Sequence, residues 1–204
     1  MAKINLDNIN SIQFDVLKEI GNIGAGNATS ALAQLLNTKI DMSVPNVALL
    51  PFKSVTKNIG TEDSVVVGIL ITLDGDINGM MMFLMDLPSA HHIVNLLMGS
   101  DVDKSDAFSE IELSALNEVG NIISGAYLSS LSSLTGLSIV SSIPSTTIDM
   151  AGALLSVPAI EFGKIGDKVL LIQTQFGENE LVNGFFVLVP ELDSYNKILS
   201  SLGI

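Results

Sequence analysis

The chain of 204 residues contains no cysteine, and only 9 of its residues are lysine or arginine. Without cysteine the chain can form neither disulfides nor thiolate metal sites, which excludes a disulfide-stabilised extracellular scaffold. Hydrophobic residues account for 48% of the chain, so a core of ordinary size can form without covalent cross-links. The length fits one sizeable domain or two small fused halves.

Long hydrophobic runs are also absent. The strongest apolar run covers residues 65–71, whereas a helix that spans a bilayer needs about 20 apolar residues. Residues 1–15 are polar and lack the apolar core of a signal peptide. We therefore expect a cytoplasmic protein without membrane insertion.

Acidic residues outnumber basic ones by 22 to 9, which gives a formal net charge of −13. Such a surface repels nucleic-acid phosphates and anionic membranes, so neither is expected as a partner. It suits a protein partner that carries a basic patch. Solubility explains the charge equally well, because a large net charge keeps an apolar-rich domain dispersed.

A short polar pattern occurs twice, with an offset of 99 residues between the copies. It consists of an acidic residue or serine, a glutamate four positions later and an asparagine three positions after that. The copies are Asp15, Glu19 and Asn22, and Ser114, Glu118 and Asn121. At 100° per residue, each copy forms one narrow stripe opposite the apolar side of a helix. A single copy is most simply a solvated helix face, but its recurrence indicates a function that packing does not require.

Two long helices are predicted around these patterns, over residues 11–36 and 108–134, because apolar residues recur there with the helical period. Ser109 and Glu112 have the spacing of a capping box at the start of the second helix. Each helix leads into an extended stretch with a proline, which limits strand pairing to a sheet edge or a strand end. These stretches are residues 39–45 and 138–144.

A hairpin and a short helix follow in each half. The hairpin strands are predicted at 65–73 with 78–85 and at 169–176 with 183–189, and the short helices at 89–98 and 194–202. A half with three strands would expose a long apolar edge, so we expect the halves to share one sheet. The tight turns imply that this sheet is largely antiparallel.

The predicted fold is therefore of α/β composition and α+β type. It consists of two duplicated halves, about 1–104 and 105–204, each in the order helix, strand, strand, strand, helix. A pseudo-two-fold axis relates the halves within a single domain that covers residues 1–204. The two long amphipathic helices lie on one face of the shared sheet.

Glutamate and asparagine three residues apart lie side by side on a helix. A carboxamide both donates and accepts hydrogen bonds, so it can orient a water molecule, but it is too weak a base to take a proton unaided. A carboxylate can pair with a cation on a partner. No histidine completes a catalytic triad around either pair. The pairs look incomplete alone and would serve in the active site of another protein, where positioning water assists phosphoryl hydrolysis.

Other candidate sites carry weaker signals. The glycine cluster at 21–26 has the wrong order for a dinucleotide loop and lies inside a predicted helix, which favours close helix packing. Nucleotide binding by this cluster is kept as a weaker hypothesis. His91 and His92 point about 100° apart and are expected at surface or partly buried positions rather than as metal ligands. The acidic residues at 101–106 lack the spacing of a calcium loop and read as a solvated linker. No metal site is predicted.

The residues around the two patterns closely resemble the CheC/CheX/FliY family of bacterial chemotaxis phosphatases. The likeness covers essentially the whole chain and is carried by residues 17–27, 43–47, 117–122 and 148–150. CheX-type members keep one functional motif and are shorter, and FliY-type members carry a further switch-binding domain at the C-terminus. With two intact motifs and an end at Ile204, the chain is expected to be of the CheC type.

The resemblance implies one continuous sheet with two symmetry-related long helices. It also implies hydrolysis of the aspartyl phosphate on CheY, the phosphorylated response regulator. Asn22 and Asn121 would enter the active site of the regulator and orient the attacking water. Glu19 and Glu118 would pair with the region of the regulator's active-site lysine.

Further expectations rest on the same resemblance. Asp15 and Ser114 occupy the less strict first position of the motif and would support docking. The chain would need no cofactor of its own, because Mg²⁺ would be bound by the regulator. CheC-type members also bind the receptor deamidase CheD, and residues 148–150 match the part of the family that meets it, which assigns Asp149 to CheD binding.

A non-catalytic adaptor that sequesters CheD or the phosphorylated regulator is the alternative. The acidic surface and the apolar, small-residue segment 149–157 motivate this reading. Binding and catalysis can coexist, so turnover is the observation that separates the two functions.

Overall fold

A computed structural model describes residues 10–37, 39, 41–99, 107–162, 168–177 and 182–203. The helices are α1 (Ser11–Leu36), α2 (Phe52–Ile59), α3 (Leu87–Met98), α4 (Glu110–Thr135), α5 (Ala151–Phe162) and α6 (Leu192–Ser201). The strands are β1 (Asp41–Pro51), β2 (Val65–Gly75), β3 (Gly79–Asp86), β4 (Ile139–Ser141), β5 (Ser145–Met150), β6 (Lys168–Gly177) and β7 (Val182–Pro190). The predicted α+β class is confirmed, and the predicted long helices and hairpin strands are present within a few residues of their expected bounds.

One antiparallel sheet contains all the described strands, in the order β1-β6-β7-β3-β2-β4, with β5 also paired to β2. This order is symmetric between the halves. Each strand of the first half lies as far from one edge as its counterpart in the second half lies from the other edge, where β1 corresponds to β4/β5, β2 to β6 and β3 to β7. Met82 and Val187, which hold equivalent positions in the two hairpins, face each other in the central β3–β7 pair. The expected boundary near residue 104 lies outside the described residues.

The central strand β3 is buried from Gly79 to Met85. Its neighbours β2 and β7 cover both edges, so residues 80–83 do not form the exposed apolar edge that a separate half would have. Phe83 and its cross-strand partner Phe186 are both fully buried, with ring centroids 4.6 Å apart. Sharing the sheet therefore hides the most apolar strand of the chain, as predicted.

The two faces of the sheet carry separate cores. Alternate residues of β3, such as Phe83 and Met85, pack with apolar residues of α1, α3, α4 and α6. The intervening residues, such as Met82 and Leu84, pack with residues of α2 and α5 on the opposite face. The long helices α1 and α4 therefore share one face, as predicted, and strands buried on both sides explain the nearly continuous apolar runs.

Two helices are absent from the prediction. The first half has the order helix, strand, helix, strand, strand, helix, and the second differs only in having β4 and β5 in place of one strand. The added helices α2 and α5 cover the face of the sheet opposite the long helices. In α2 only a few apolar residues mark the buried side, and α5 contains Pro158, which sequence rules place against a helix. The apolar, small-residue segment 149–157, which motivates the adaptor function, contributes to the core instead, since Ala151, Leu154 and Leu155 are buried.

The short helices begin two residues earlier than predicted. Helix α3 starts at Leu87 rather than Ser89, because Asp86 caps it by accepting a hydrogen bond of 2.7 Å from the Ser89 backbone N–H. Helix α6 starts at Leu192. The Ser194 hydroxyl instead accepts a 2.9 Å bond from the Asn78 backbone N–H, which ties the helix to the turn between β2 and β3. None of the described helices is both long and apolar enough to cross a bilayer.

Pro45 and Pro144, the prolines of the two predicted extended stretches, lie where strand pairing is weakest. Among the described strands, the edge strand β1 pairs only with β6, and it changes register between Ser43 and Asn46, on either side of Pro45. Pro144 separates β4 from β5, which pair with different parts of β2 at the other edge. A residue without a backbone N–H is tolerated at such irregular edge positions, which confirms the placement predicted for these stretches.

The helices α1 and α4 pack closely where Gly24 faces Tyr127. A Cβ atom on Gly24 would lie closer than 3.0 Å to atoms of the Tyr127 ring. Nearby, the Asn27 carboxamide donates a hydrogen bond of 2.9 Å to the Ser130 hydroxyl. The glycine cluster therefore serves helix packing at Gly24, as predicted.

Gly24→Ala is expected to lower the free energy of unfolding by about 1–3 kcal/mol, because the tyrosine ring has to shift. The matched control is Gly26→Ala on the same helix, whose new methyl group meets nothing within 4 Å. That control should raise the free energy of unfolding by about 1 kcal/mol through helix propensity. Urea unfolding measures both, and a Gly24→Ala variant as stable as the wild type would contradict the close packing.

Candidate functional site

Both polar stripes face solvent. In α1 the side chains of Asp15, Glu19 and Asn22 are exposed, while Leu17 and Ile20 between them are buried. In α4 the same holds for the equivalent set, Ser114, Glu118 and Asn121. The orientation predicted from helical spacing is therefore present in both copies, with a carboxylate and a carboxamide side by side on each helix.

The glycine that precedes each asparagine brings the helix down onto the sheet. A Cβ atom on Gly120 would lie 2.5 Å from Cγ2 of Ile69, so a larger residue there would force either α4 or the Ile69 side chain to shift. Gly21 is less confined, because its Cβ would be 3.5 Å from Ile172 and Val47. These contacts fix the buried side of each motif and so determine which way Glu and Asn point.

Duplicated capping boxes set the start of both helices. In α1, Asn10 accepts a 2.9 Å bond from the Gln13 N–H, and the Gln13 side chain accepts a 3.0 Å bond from the Asn10 N–H. In α4, the Ser109 N–H and hydroxyl both donate to Glu112 Oε2 at 2.7 Å. The capping box predicted for α4 is confirmed, and its equivalent in α1 lies 99 residues earlier.

Hydrogen bonds from Ser109 hold the pKa of the Glu112 carboxyl below its ordinary value of 4.5. The side-chain bond has the largest effect, the backbone bond follows, and the charge of nearby His91 adds a smaller lowering. Burial acts in the opposite direction and is outweighed. The carboxylate therefore stays charged at the helix N-terminus, where negative charge is favourable.

The two motifs are held differently at their outer sides. Next to Glu118, the Asn117 Oδ1 atom accepts a 2.7 Å hydrogen bond from the Thr146 hydroxyl on strand β5. The equivalents in the first half are Lys18 and, by the register of the sheet, Leu49, which cannot form such a bond. In addition, the Ser114 hydroxyl donates to the Glu110 carbonyl at 2.8 Å within its own helix. The tie between Asn117 and Thr146 carries no sequence signature, because it depends on strand β5 lying beneath the helix.

The arrangement can bind and orient but cannot carry out a reaction alone. The exposed pairs contain a hydrogen-bonding amide and an anionic group, and neither pair includes an activated nucleophile. In the part of the chain that the structure describes, no cluster of three or more His, Asp and Glu residues is placed to hold a metal ion. A reacting group would have to be presented to the stripes by another molecule.

The remaining sequence candidates have structural explanations. The glycine cluster lies in the middle of α1, whereas a phosphate-binding loop precedes a helix and offers free backbone N–H groups, so nothing here supports nucleotide binding. The predicted surface or partly buried position of His91 is wrong, because His91 is 2% exposed and stacks on Phe108 with ring centroids 4.0 Å apart. The acidic residues at 101–106 lie outside the described residues.

Asp149 lies on the edge strand β5, where it pairs with Val66 of β2. Its side chain is exposed, and its Oδ1 atom accepts a 2.7 Å hydrogen bond from the Met150 N–H. Its neighbours along the strand, Ile148 and Met150, and Val65 opposite Met150 on β2, are exposed apolar residues. An exposed edge strand with apolar and acidic side chains is suited to contact with another protein.

Comparison with known proteins gives consistent matches. A model described as the CheC-like family matches residues 12–49, and one described as chemotaxis phosphatase CheX matches residues 67–159. The CheY-P phosphatase CheC of Bacillus subtilis (strain 168) is 39% identical to the chain over 94% of each sequence. The flagellar motor switch phosphatase FliY of the same organism is 27% identical over 97% of this chain and 51% of its own length.

Solved structures share the fold. Thermotoga maritima FliY superposes with a TM-score of 0.75 at 25% identity, covering 96% of this chain and 98% of that one. A chain of the CheX-CheY-BeF3-Mg+2 complex from Borrelia burgdorferi superposes with a TM-score of 0.54 at 18% identity, covering 85% and 97%. At that identity the second likeness shows the fold alone.

Titration of the α4 cap gives a stability prediction. A carboxyl group whose pKa is lower in the folded than in the unfolded protein stabilises the fold at pH values above its pKa in the unfolded protein. This contribution is lost as the pH falls through its pKa in the folded protein. Glu112→Gln should therefore destabilise the protein at neutral pH, and its difference from the wild type should shrink below about pH 4.5.

Urea midpoints at neutral pH and at about pH 3 measure the effect. Gln13→Ala is the control, because the α1 box contains no titrating group and should lose the same stability at both pH values. A wild-type advantage over Glu112→Gln that persists undiminished in acid would contradict the role of the charge.

Proposed function

The chain belongs to the CheC-like family, and we propose that it is a phosphatase that hydrolyses the aspartyl phosphate of phosphorylated CheY. The observation that carries the proposal is the exposed glutamate–asparagine pair, which occurs on both α1 and α4 in the same orientation. The relative at 39% identity, a CheY-P phosphatase, supports the same substrate. The exposed pairs need a partner that brings the reacting phosphoryl group, and a phosphorylated regulator provides one.

In the proposed reaction, Asn22 or Asn121 enters the active site of the regulator and orients a water molecule in line with the phosphorus. The water oxygen forms a bond to phosphorus while the bond from phosphorus to the aspartate oxygen breaks. The released phosphate retains the water protons, so the amide does not have to act as a base. Catalysis by positioning suits phosphoryl transfer, where the protein contributes orientation and electrostatic stabilisation.

The neighbouring carboxylates have a binding role in this proposal. Glu19 and Glu118 pair with the active-site lysine region of CheY, which places each asparagine at a defined depth. Asp15 and Ser114 support docking from the preceding turn of each helix. The Ser114 hydroxyl, which donates to its own helix, keeps its lone pairs available to a donor on the partner.

Any divalent cation belongs to the partner in this mechanism. The pairs on α1 and α4 offer one carboxylate and one amide each, which is fewer oxygen ligands than Mg²⁺ or Ca²⁺ takes. We propose that the protein needs no cofactor of its own and that Mg²⁺ is held by CheY. The protein acts where CheY is found, in the cytoplasm.

Binding of CheD is a second proposed function, favoured by the exposed edge at β5. Asp149 is exposed there, and its neighbours along the strand, Ile148 and Met150, are exposed apolar residues. CheD would contact this edge, whereas CheY would contact the stripes on the long helices. A non-catalytic adaptor would use the same edge without turnover, so loss of phosphate release in motif variants separates the two functions.

The double variant Asn22→Ala/Asn121→Ala should lose phosphate release from phosphorylated CheY by about 100-fold, because the attacking water is no longer oriented. Each single variant should retain the activity of the other site. Asn27→Ala is the control, since this asparagine on α1 bonds to Ser130 and its equivalent in α4 is already alanine. Full activity of the double variant would disprove the assignment and leave the adaptor function.

Asp149→Lys should weaken CheD binding at least about tenfold, since reversing a charge at an interface opposes the complementary surface. Phosphate release from CheY in the absence of CheD should not change. Asp74→Lys is the matched control, because Asp74 is also exposed and its Oδ1 atom accepts a 2.7 Å bond from the next residue, as in Asp149. Calorimetric titration with CheD measures the affinity, and equal losses in both variants would argue against a specific contact.

A further inference from the structure

The two long helices agree at more exposed positions than the polar motif alone. At five pairs of positions that are exposed in both helices and separated by 99 residues, the residues are identical. These pairs are Ile12 and Ile111, Glu19 and Glu118, Asn22 and Asn121, Gly26 and Gly125, and Ser30 and Ser129. At 100° per residue all five fall within an arc of about 80°. The exposed helical positions that differ, apart from the motif position of Asp15 and Ser114, lie outside this arc.

An isoleucine stands at the N-terminal end of each stripe. Ile12 is 62% exposed and Ile111 is 68% exposed, one turn before Asp15 and Ser114. A single exposed apolar residue needs no explanation. An isoleucine at equivalent positions beside both motifs does need an explanation, because neither isoleucine contributes to the core. Contact with a partner would remove both from water.

A glycine stands one turn after each asparagine. Glycine inside a helix costs about 1 kcal/mol relative to alanine. Gly24 and Gly120 are explained by close packing within the protein, but a Cβ atom on Gly26 or Gly125 would meet nothing within 4 Å. The missing side chains therefore serve no internal contact. They leave space outside the protein, next to the asparagine that has to enter a partner's active site.

We propose that phosphorylated CheY docks along the whole stripe, with Ile12 and Ile111 as apolar anchors and Gly26 and Gly125 as clearance for the regulator's surface. The inference rests on the proposed function and adds the residues that set affinity and depth of insertion. CheY is the occupant because the anchor and the clearance are continuous with the Glu–Asn pair, with the isoleucine two turns before the glutamate and the glycine one turn after the asparagine. From Ile12 to Ser30 the stripe is about 27 Å long, enough for a protein-sized contact.

The anchor is tested with Ile12→Gln/Ile111→Gln. The double variant should bind beryllofluoride-activated CheY about tenfold more weakly and raise KM by a similar factor with little change in kcat, because burial of an isoleucine is lost. Leu134→Gln is the control, since Leu134 is 40% exposed on α4 but lies outside the stripe. Affinity and KM within twofold of the wild type would overturn the anchor.

The clearance is tested with Gly26→Ala/Gly125→Ala. This variant should melt at a higher temperature than the wild type and yet lose about tenfold in kcat/KM, because the asparagine enters less deeply. A purely structural glycine would give the opposite result, lower stability. Ser133→Ala on α4, also outside the stripe, should change neither quantity by a comparable amount. A more stable variant with full activity would overturn the clearance.

Measured affinity separates this proposal from the phosphatase proposal. The chain contains no tryptophan, so a tryptophan of CheY reports binding without background. If the wild type bound activated CheY through the stripe but released no phosphate, the phosphatase function would fail while the docking surface stood. If phosphate were released and the isoleucine and glycine variants behaved as wild type, the docking proposal would fail alone.

Discussion

The antiparallel pairing of β3 with β7 is the constraint on which the rest of the structure depends. It joins the inner hairpins of the two halves, and it places the equivalent residues Met82 and Val187 opposite each other. The outer strands then cross over, so that β1 of the first half pairs with β6 of the second and β5 of the second pairs with β2 of the first. Neither half could bury its apolar strands without the other.

That pairing also explains why the long helices lie together. Each helix packs on the same face of one sheet, and a small residue at each close contact, Gly24 against Tyr127 and Gly120 against Ile69, keeps the layers near each other. The apolar side of each long helix is buried by this packing. The opposite sides are therefore free of packing contacts with the sheet, and both carry the same exposed glutamate–asparagine pair.

Periodicity in the sequence was sufficient for elements with a strong and simple pattern. The 26-residue helices α1 and α4 alternate apolar and polar residues with a clear helical period, and the capping box at Ser109 marks where α4 begins. The hydrophobic pattern of the sequence did not predict helices α2 and α5. Helix α5 has Pro158 inside it and is stabilised by Leu154 and Leu155, which pack against the sheet, and this tertiary contact outweighs local propensity.

The sequence by itself determined which residues face solvent on α1 and α4, because helical geometry converts spacing into direction without reference to anything else. It also determined that glutamate and asparagine form a pair on each helix. Only the tertiary structure decided that the Asn117–Thr146 bond secures the second motif, that His91 is buried, and that Gly26 differs from Gly24 in having no internal contact. Each of these depends on which distant element lies nearby, and that is decided by how the two halves share the sheet.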